Sequence, residues 1–371
     1  MKIESVELRR IRLPLVAPFR TSFGTETARD ILLVRVRGPG PDGWGECVAM
    51  TEPLYSSEYV EGAHAVTRDH LLPRLRAVTA APTAEDVAPA LRAVKGHPMA
   101  KAAVEMAVLD ADLCERGESL AGYLGAVRPA VPSGVSVGIM DSVPQLLDAV
   151  GGYLGEGYVR IKLKIEPGWD FEPVQAVRER FGDEVPLQVD ANAAYSLADA
   201  PALARLDPFG LLLIEQPLPE DDMAGHAALA GRLRTPICLD ESITSASVAA
   251  DAIGRGACSI VNIKAGRVGG YLEAKRVHDV CAGLGVPVWC GGMLETGLGR
   301  AANLALAAMP NFSLPGDTSA SDRYWHRDLT EPFILEDGYI KVPTGSGLGV
   351  RPDADRLAEV TVSLEEIPWQ D

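Results

Sequence analysis

Residues 158–165 read YVRIKLKI, an alternation of apolar and cationic side chains. Side chains at i and i+2 lie on the same face of a strand, so Arg160, Lys162 and Lys164 share one face and the apolar residues share the other. Strands of a parallel barrel are normally apolar on both faces, and an unpaired buried cation costs several kcal/mol. We therefore expect three cations inside a barrel that also holds anionic groups.

Short apolar runs recur before and after this strand, and helical patterns separate them. The runs are VSVGI (135–139), PLQVDAN (186–192), GLLLIEQP (210–217), PICLDES (236–242), SIVNIKAG (259–266), PVWCGG (287–292) and a weaker NFSLPGD (311–317). Eight strands with intervening helices predict an α/β fold, a (β/α)7β TIM-like barrel whose last crossover is incomplete. Active sites of this fold lie at the C-terminal ends of the strands.

The sequence outside these apolar runs indicates a further domain and a C-terminal segment. Residues 1–125 mix strand and helix signals, including a helix over 99–116, and indicate an α+β capping domain with lid loops. The modified barrel, with the metal and catalytic residues, would occupy 126–325. The C-terminal segment, 326–371, would return to the capping domain and complete it, and FILEDGYIKVP (333–343) predicts a hairpin that makes this return.

Composition narrows the class of protein. The 371 residues are 47% apolar, and 51 acidic residues against 35 basic ones give a net charge of −16, which disfavours nucleic-acid binding. The six cysteines form no C-x-x-C pair, so we expect reduced thiols. No apolar run reaches the roughly 18 residues of a membrane span, and no signal region opens the chain, so we expect a cytoplasmic protein without a membrane partner.

Charged residues close five successive runs, at intervals of 26, 25, 25 and 24 residues: Lys164, Asp190, Glu215, Asp240 and Lys264. One strand, one helix and two loops take up about that many residues, so all five would meet at the C-terminal rim of the barrel. Three converging carboxylates suit a hard cation, Mg²⁺ or Mn²⁺, and the absence of His argues against zinc. The alternative is that the three acids are separate helix caps or surface residues.

This arrangement suits removal of the proton α to a carboxylate, with the metal ion stabilising the resulting enediolate. A general base needs a pKa near the working pH. The pKa of a lysine is ordinarily ~10.4, so it must fall by about two to three pH units for this role. Like-charge repulsion from Arg160, Lys162 and the metal ion acts in that direction.

Longer motifs cover nearly the whole chain: PFRTSFGT (18–25), GWGEC (43–47), KAGRVGG (264–270), GGMLETGLGRAAN (291–303) and LPGDTSASDRYW (314–325). With the strand-end residues, they resemble the enolase superfamily, muconate-lactonizing branch. Within it they resemble the o-succinylbenzoate synthase / N-acylamino acid racemase family, which includes N-succinylamino acid racemases. The resemblance implies Mg²⁺, with Mn²⁺ or Co²⁺ as substitutes, a small anionic carboxylate substrate, a homo-oligomer and a place in menaquinone biosynthesis.

The resemblance also implies residue roles. Lys164 and Lys264 would be the acid/base pair, and Lys162 would lie beside the substrate carboxylate. The metal ligands would be Asp190, Glu215 and Asp240. The other implied residues are Phe19 and Phe23 on a mobile lid, Tyr55 nearby, Asn192 and Glu241 beside the metal ligands, Met293 and Leu294 in the acyl pocket, and Arg267 in support of racemisation.

Two reactions fit this site, dehydration to o-succinylbenzoate and racemisation of N-acyl or N-succinyl amino acids. The alternatives are a muconate-type cycloisomerase or a dipeptide epimerase of the same superfamily. A metal-binding barrel without turnover would have no use for two opposed lysines.

Overall fold

The computed structural model describes residues 2–79 and 81–369. The chain opens with strands β1 (Ser5–Thr21), β2 (Gly24–Arg37) and β3 (Gly43–Cys47), which pair antiparallel. Helices α1 (Val60–Val66), α2 (Leu72–Val78), α3 (Ala84–Leu91), α4 (Pro98–Arg116) and α5 (Leu120–Leu124) follow, and a π-helical turn (Thr67–Leu71) joins α1 to α2.

The predicted helix over 99–116 is confirmed as α4. Pro98 occupies its first turn, where a missing N–H costs nothing, and Gly117 ends it in the left-handed conformation with φ of 68°. Gly43 and Gly45 let α4 lie close to β3, because a Cβ at either position would collide with the carbonyl oxygen of Ala107 or Ala103.

The second part of the chain alternates strands with helices. The strands are β4 (Ala130–Pro132), β5 (Gly134–Val137), β6 (Arg160–Lys164), β7 (Leu187–Asp190), β8 (Ile214–Glu215), β9 (Ile237–Leu239), β10 (Ile260–Ile263) and β11 (Val288–Cys290). The helices are α6 (Val143–Glu156), α7 (Phe171–Phe181), α8 (Ala200–Ala204), α9 (Met223–Ala230), α10 (Ala246–Gly254), α11 (Ala265–Val268), α12 (Tyr271–Gly283) and α13 (Gly297–Ala307). Short 3₁₀ turns cover Leu197–Asp199, Asp207–Phe209 and Ser321–Arg323.

Strands β5 to β11 form one parallel sheet in chain order, which confirms the predicted α/β class. The eighth run, 311–317, is reduced to two single parallel bridges, Phe312 with Val288 of β11 and Gly316 with Ser133 before β5. Pro315 has no N–H to donate, so this segment cannot form a continuous ladder. It nevertheless spans the gap between the first and last strands, as a (β/α)7β barrel requires.

The C-terminal segment contains β12 (Tyr339–Lys341), α14 (Ala354–Val360) and β13 (Thr361–Pro368). β13 pairs antiparallel with β1, so the C-terminus completes the first sheet in the order β13-β1-β2-β3. The prediction that the 333–343 hairpin makes this return is wrong, because β12 pairs with β4. Ile340 is fully buried in the core cluster that also contains Val131 of β4, and this burial holds β12 against the barrel.

The segment PFRTSFGT was expected to be a lid loop, but most of it is β-hairpin. Phe19, Arg20 and Thr21 of β1 pair with Glu26, Thr25 and Gly24 of β2, which leaves Ser22 and Phe23 at the tip. The loop is therefore confined to this tip, because β1 and β2 pair again from Phe19 to Thr21 after an irregularity between Pro14 and Phe19. That the segment acts as a mobile lid stays a prediction.

All six cysteines lack a disulfide partner. Within residues 2–79 and 81–369, no helix combines the length and the apolar composition that a membrane crossing requires.

Candidate active site

The charged residues predicted at strand ends lie together at the C-terminal rim of the sheet. Lys164, Asp190 and Glu215 close β6, β7 and β8 and are register partners on adjacent strands. Asp240 and Lys264 follow β9 and β10 directly. All five are buried, with exposed fractions of 0 to 8%. This burial follows from the short, apolar strands that precede them.

Lys164 and Lys264 lie on opposite walls of one cavity. Counting β5 as the first position of an eight-position barrel, β6 is the second and β10 the sixth, so four positions separate the two lysines. Lys162 lines the same cavity. The three carboxylates come from β7, β8 and β9, between the two lysines.

Lys162 is the most heavily paired cation of the site. Its Nζ lies 2.6 Å from Asp317, 3.1 Å from Glu215 and 3.3 Å from Asp190. It also lies 4.8 Å from the centre of the Trp289 ring. Burial alone would lower the pKa of Lys162, but the three carboxylates outweigh burial and raise it. These contacts favour the protonated, positively charged form of Lys162.

Each of the two opposed lysines has a carboxylate partner. Lys164 Nζ donates to Asp190 Oδ2 at 2.6 Å and to Asn192 Oδ1 at 2.7 Å. Lys264 Nζ donates to Asp240 Oδ2 at 2.7 Å and to Tyr55 Oη at 3.1 Å. Each ammonium group is thereby held in a fixed position.

Burial favours a lower pKa for Lys264, but Tyr55 and the carboxylates, Glu241 first among them, raise it. The lower base pKa predicted from the sequence was ascribed to Arg160, Lys162 and a bound metal ion, and it stays a prediction.

Asp190, Glu215 and Asp240 were predicted to hold a metal ion. Within the described residues, no three His, Cys, Asp or Glu side chains form a group positioned to hold one. Each of the three carboxylates is turned toward cations instead, Asp190 toward Lys164, Glu215 toward Lys162, and Asp240 toward Lys264 and Arg267.

The donor set nevertheless fits a hard divalent cation in its chemistry. Burial and the charge of Asp190 raise the pKa of Glu215, so these carboxylates repel one another. Glu241 Oε2 is also buried beside them and has no hydrogen-bond partner in the described part of the chain, and burial raises the pKa of Glu241 to about 7. Oxygen ligands in such an acidic cluster suit Mg²⁺ or Mn²⁺.

The predicted substrate-binding residues other than Arg267 all line the cavity: Phe19, Phe23, Tyr55, Lys162, Asn192, Met293 and Leu294. Phe23 and Tyr55 pack with ring centroids 6.1 Å apart. Arg267 lies elsewhere. It donates to the carbonyl oxygens of Ile243 (2.7 Å) and Asn262 (2.6 Å) and pairs with Asp240.

Sequence reasoning missed three charged residues of this cavity, Glu26, Arg29 and Asp317. A signal existed for Asp317, because it closes the eighth run as the other charged residues close theirs. No comparable signal marked Arg29, which lies on β2 of the antiparallel sheet, far from the barrel in sequence.

Comparisons with known proteins agree along the whole chain. The Enolase C-terminal domain-like family matches residues 145–356, and the mandelate racemase / muconate lactonizing enzyme N-terminal domain matches residues 4–125. The chain is 68% identical over 363 residues to an N-succinylamino acid racemase from an Amycolatopsis species, covering 98% of both chains. It is 48% identical to the o-succinylbenzoate synthase of Geobacillus kaustophilus, covering 97% of this chain and 96% of that one.

A solved structure agrees with these matches. An enolase superfamily member from Listeria innocua superposes with a TM-score of 0.95 at 40% identity, covering both chains completely.

Proposed function

Because the chain belongs to the enolase superfamily, in the group with the mandelate racemase / muconate lactonizing enzyme N-terminal domain, we propose that it removes the proton α to a carboxylate. The product would be o-succinylbenzoate, the other enantiomer of an N-acyl or N-succinyl amino acid, or both. The observation that carries this proposal is the placement of Lys164 and Lys264 on opposite walls of one cavity.

In racemisation, one lysine removes the α proton and the other returns a proton to the opposite face. Asp190 and Asn192 hold Lys164 Nζ on one side, and Asp240 and Tyr55 hold Lys264 Nζ on the other. Because both amino groups are held in place, proton transfer can occur within the enzyme–substrate complex without a further encounter between reactants. Lys162, which keeps its proton, supplies the positive charge for the substrate carboxylate.

In dehydration, the leaving group departs from a carbon next to the one that loses its proton. A single lysine can remove the proton and then give it to the departing hydroxide. The same cavity therefore serves both reactions, and the substrate decides whether the second lysine is needed.

Members of this superfamily generally depend on a divalent metal. Asp190, Glu215 and Asp240 would hold the ion, which we propose is Mg²⁺, with Mn²⁺ or Co²⁺ as substitutes. When bound, such an ion supplies positive charge that stabilises an enediolate and offsets the carboxylate field around the lysines.

Paired assays on one purified, Mg²⁺-loaded preparation test the proposal. Absorbance follows dehydration to o-succinylbenzoate, and NMR in D₂O follows α-proton exchange of N-succinyl and N-acetyl amino acids. We expect exchange with racemisation, dehydration, or both, and loss of each activity with EDTA. Absence of both activities would overturn the proposal, and turnover of muconate instead would favour the cycloisomerase alternative.

Assembly into a homo-oligomer and a cytoplasmic location stay predictions. The mass of the purified protein in solution, by light scattering, tests the first.

A further inference from the structure

Arg29 is a buried arginine in the wall of the active-site cavity. Its side chain comes from β2 of the antiparallel sheet and is 1% exposed. Nη2 donates to the carbonyl oxygens of Val48 (3.0 Å) and Ala49 (3.4 Å). Nε and Nη1 are buried and have no hydrogen-bond partner among the described residues.

Arg29 differs from the other cations of the cavity in having no carboxylate partner. Lys162, Lys164 and Lys264 each contact at least one carboxylate at 2.7 Å or less. Within the described part of the chain, no Asp or Glu forms a salt bridge with Arg29. Glu26 also lines the cavity, but it does not act as a carboxylate partner for Arg29. Burial raises the pKa of Glu26, although the positive charge of Arg29 acts to lower it.

An uncompensated guanidinium at this depth is costly unless an anion joins it. Arginine N–H groups form strong, charge-assisted hydrogen bonds with carboxylates, and two of the three nitrogen atoms are free to do so. The cavity therefore has two anion-binding regions, the lysines of the barrel and Arg29 of the first sheet. Apolar side chains that line the same cavity, among them Phe19, Met50 and Leu294, suit the uncharged middle of a ligand.

We propose that Arg29 binds the second carboxylate of a dianionic substrate, the far end of an N-succinyl group. This inference rests on the proposed function and deepens it. The lysines receive the carboxylate next to the reacting carbon, and Arg29 selects acyl groups that end in a second carboxylate. The site would therefore prefer N-succinyl over N-acetyl amino acids.

The test is the Arg29→Met variant, assayed with N-succinyl-methionine and N-acetyl-methionine. We expect the ratio of kcat/KM for the two substrates to fall roughly 10- to 100-fold, the size of a lost hydrogen bond to a charged group. Arg37→Met is the matched control, because Arg37 lies on the same strand and pairs with the exposed Glu366 at the protein surface. Its substrate ratio should stay at the wild-type value.

An unchanged ratio, or an equal loss with both substrates, would show that Arg29 only supports the backbone at Val48 and Ala49. If Arg29→Met does not fold, the wild-type enzyme gives the answer with N-succinyl-methionine esterified at the far carboxylate. The kcat/KM of that ester should be lower than that of the free acid by a similar factor. Equal kcat/KM for the ester and the free acid would overturn the proposal.

Calorimetry separates this inference from the proposed function. An enzyme that turns over neither substrate but binds N-succinyl-methionine at least tenfold more tightly than N-acetyl-methionine would keep the role of Arg29 and reject the reaction. Equal binding of the two compounds would reject the role of Arg29.

Discussion

Lys162 Nζ lies 2.6 Å from Asp317 Oδ2, and this contact joins the second strand of the barrel to the segment that closes it. The other oxygen of Asp317 accepts a hydrogen bond from Arg160 Nη1 at 2.9 Å. The Asp317 carboxylate therefore positions two buried cations, Arg160 and Lys162. It supplies negative charge of the kind expected from the three inward-facing cations of this strand.

Asp317→Asn should destabilise the protein and slow turnover, because it leaves two buried cations without their shared charge. Removing one member of a buried pair typically costs about 3–5 kcal/mol. Urea unfolding and kcat/KM measure the two effects. Asp251→Asn removes an exposed pair with Arg255 and should cost under about 0.5 kcal/mol. Equal stability of the two variants would contradict the positioning role of Asp317.

Lys164→Ala and Lys264→Ala should each abolish racemisation while keeping part of the proton exchange. Loss of one acid/base group typically costs about 10²- to 10⁴-fold. The remaining lysine still reaches one face of the substrate, so each variant should exchange the α proton of one enantiomer only, and the two variants should differ in which one. NMR in D₂O on separate enantiomers measures this. The same enantiomer exchanging in both variants would refute the two-sided arrangement.

Addition of Mg²⁺ to metal-stripped protein should raise the melting temperature as well as restore activity, because the ion binds only the folded carboxylate cluster. Glu215→Gln removes one ligand charge and should abolish most of the Mg²⁺-dependent shift in a thermal melt. Glu179→Gln, an exposed change on α7, is the matched control. If Mg²⁺ raises the melting temperature of Glu215→Gln as much as that of the wild type, the ion binds elsewhere.

Stability should fall as the pH rises toward 7, partly because of Glu105. This side chain of α4 accepts a hydrogen bond from the Leu272 N–H in the first turn of α12, and burial raises its pKa from 4.5 to about 7. The folded protein therefore binds this proton more tightly than the unfolded chain does. The resulting stabilisation is complete below about pH 4.5 and is lost as the pH rises through about 7.

Glu105→Gln removes this titration and keeps an oxygen for the Leu272 N–H. Between pH 5 and 8, the variant should lose about 2 kcal/mol less unfolding free energy than the wild type. Urea unfolding at the two pH values measures the difference. Parallel loss in both proteins would mean that Glu105 is not the titrating group.

Much of the barrel and of the rim could be read from local pattern. The alternation in YVRIKLKI predicted three inward cations, and Arg160, Lys162 and Lys164 are all buried. Apolar runs ending in a charge at a regular interval predicted the convergence of five residues. Such patterns succeed because strand geometry assigns each side chain to a face, and barrel topology brings strand ends to one rim.

Errors arose where a residue's role depends on distant parts of the chain. Arg267 was expected at the substrate, but it does not line the cavity, because it pairs with Asp240 and two backbone carbonyl oxygens hold it. The hairpin over 333–343 was likewise expected at the capping domain, but β12 pairs with β4, which lies far earlier in the chain.

Local order along the chain was enough to predict the barrel, its rim and the placement of Lys164 and Lys264 there, because backbone periodicity alone places those side chains. The anion between Arg160 and Lys162 and the pairing of β13 with β1 came from the folded structure. So did the guanidinium of Arg29, which has no carboxylate partner among the described residues. Those features depend on which segments pack against each other across long sequence separations, and no local pattern encodes that packing.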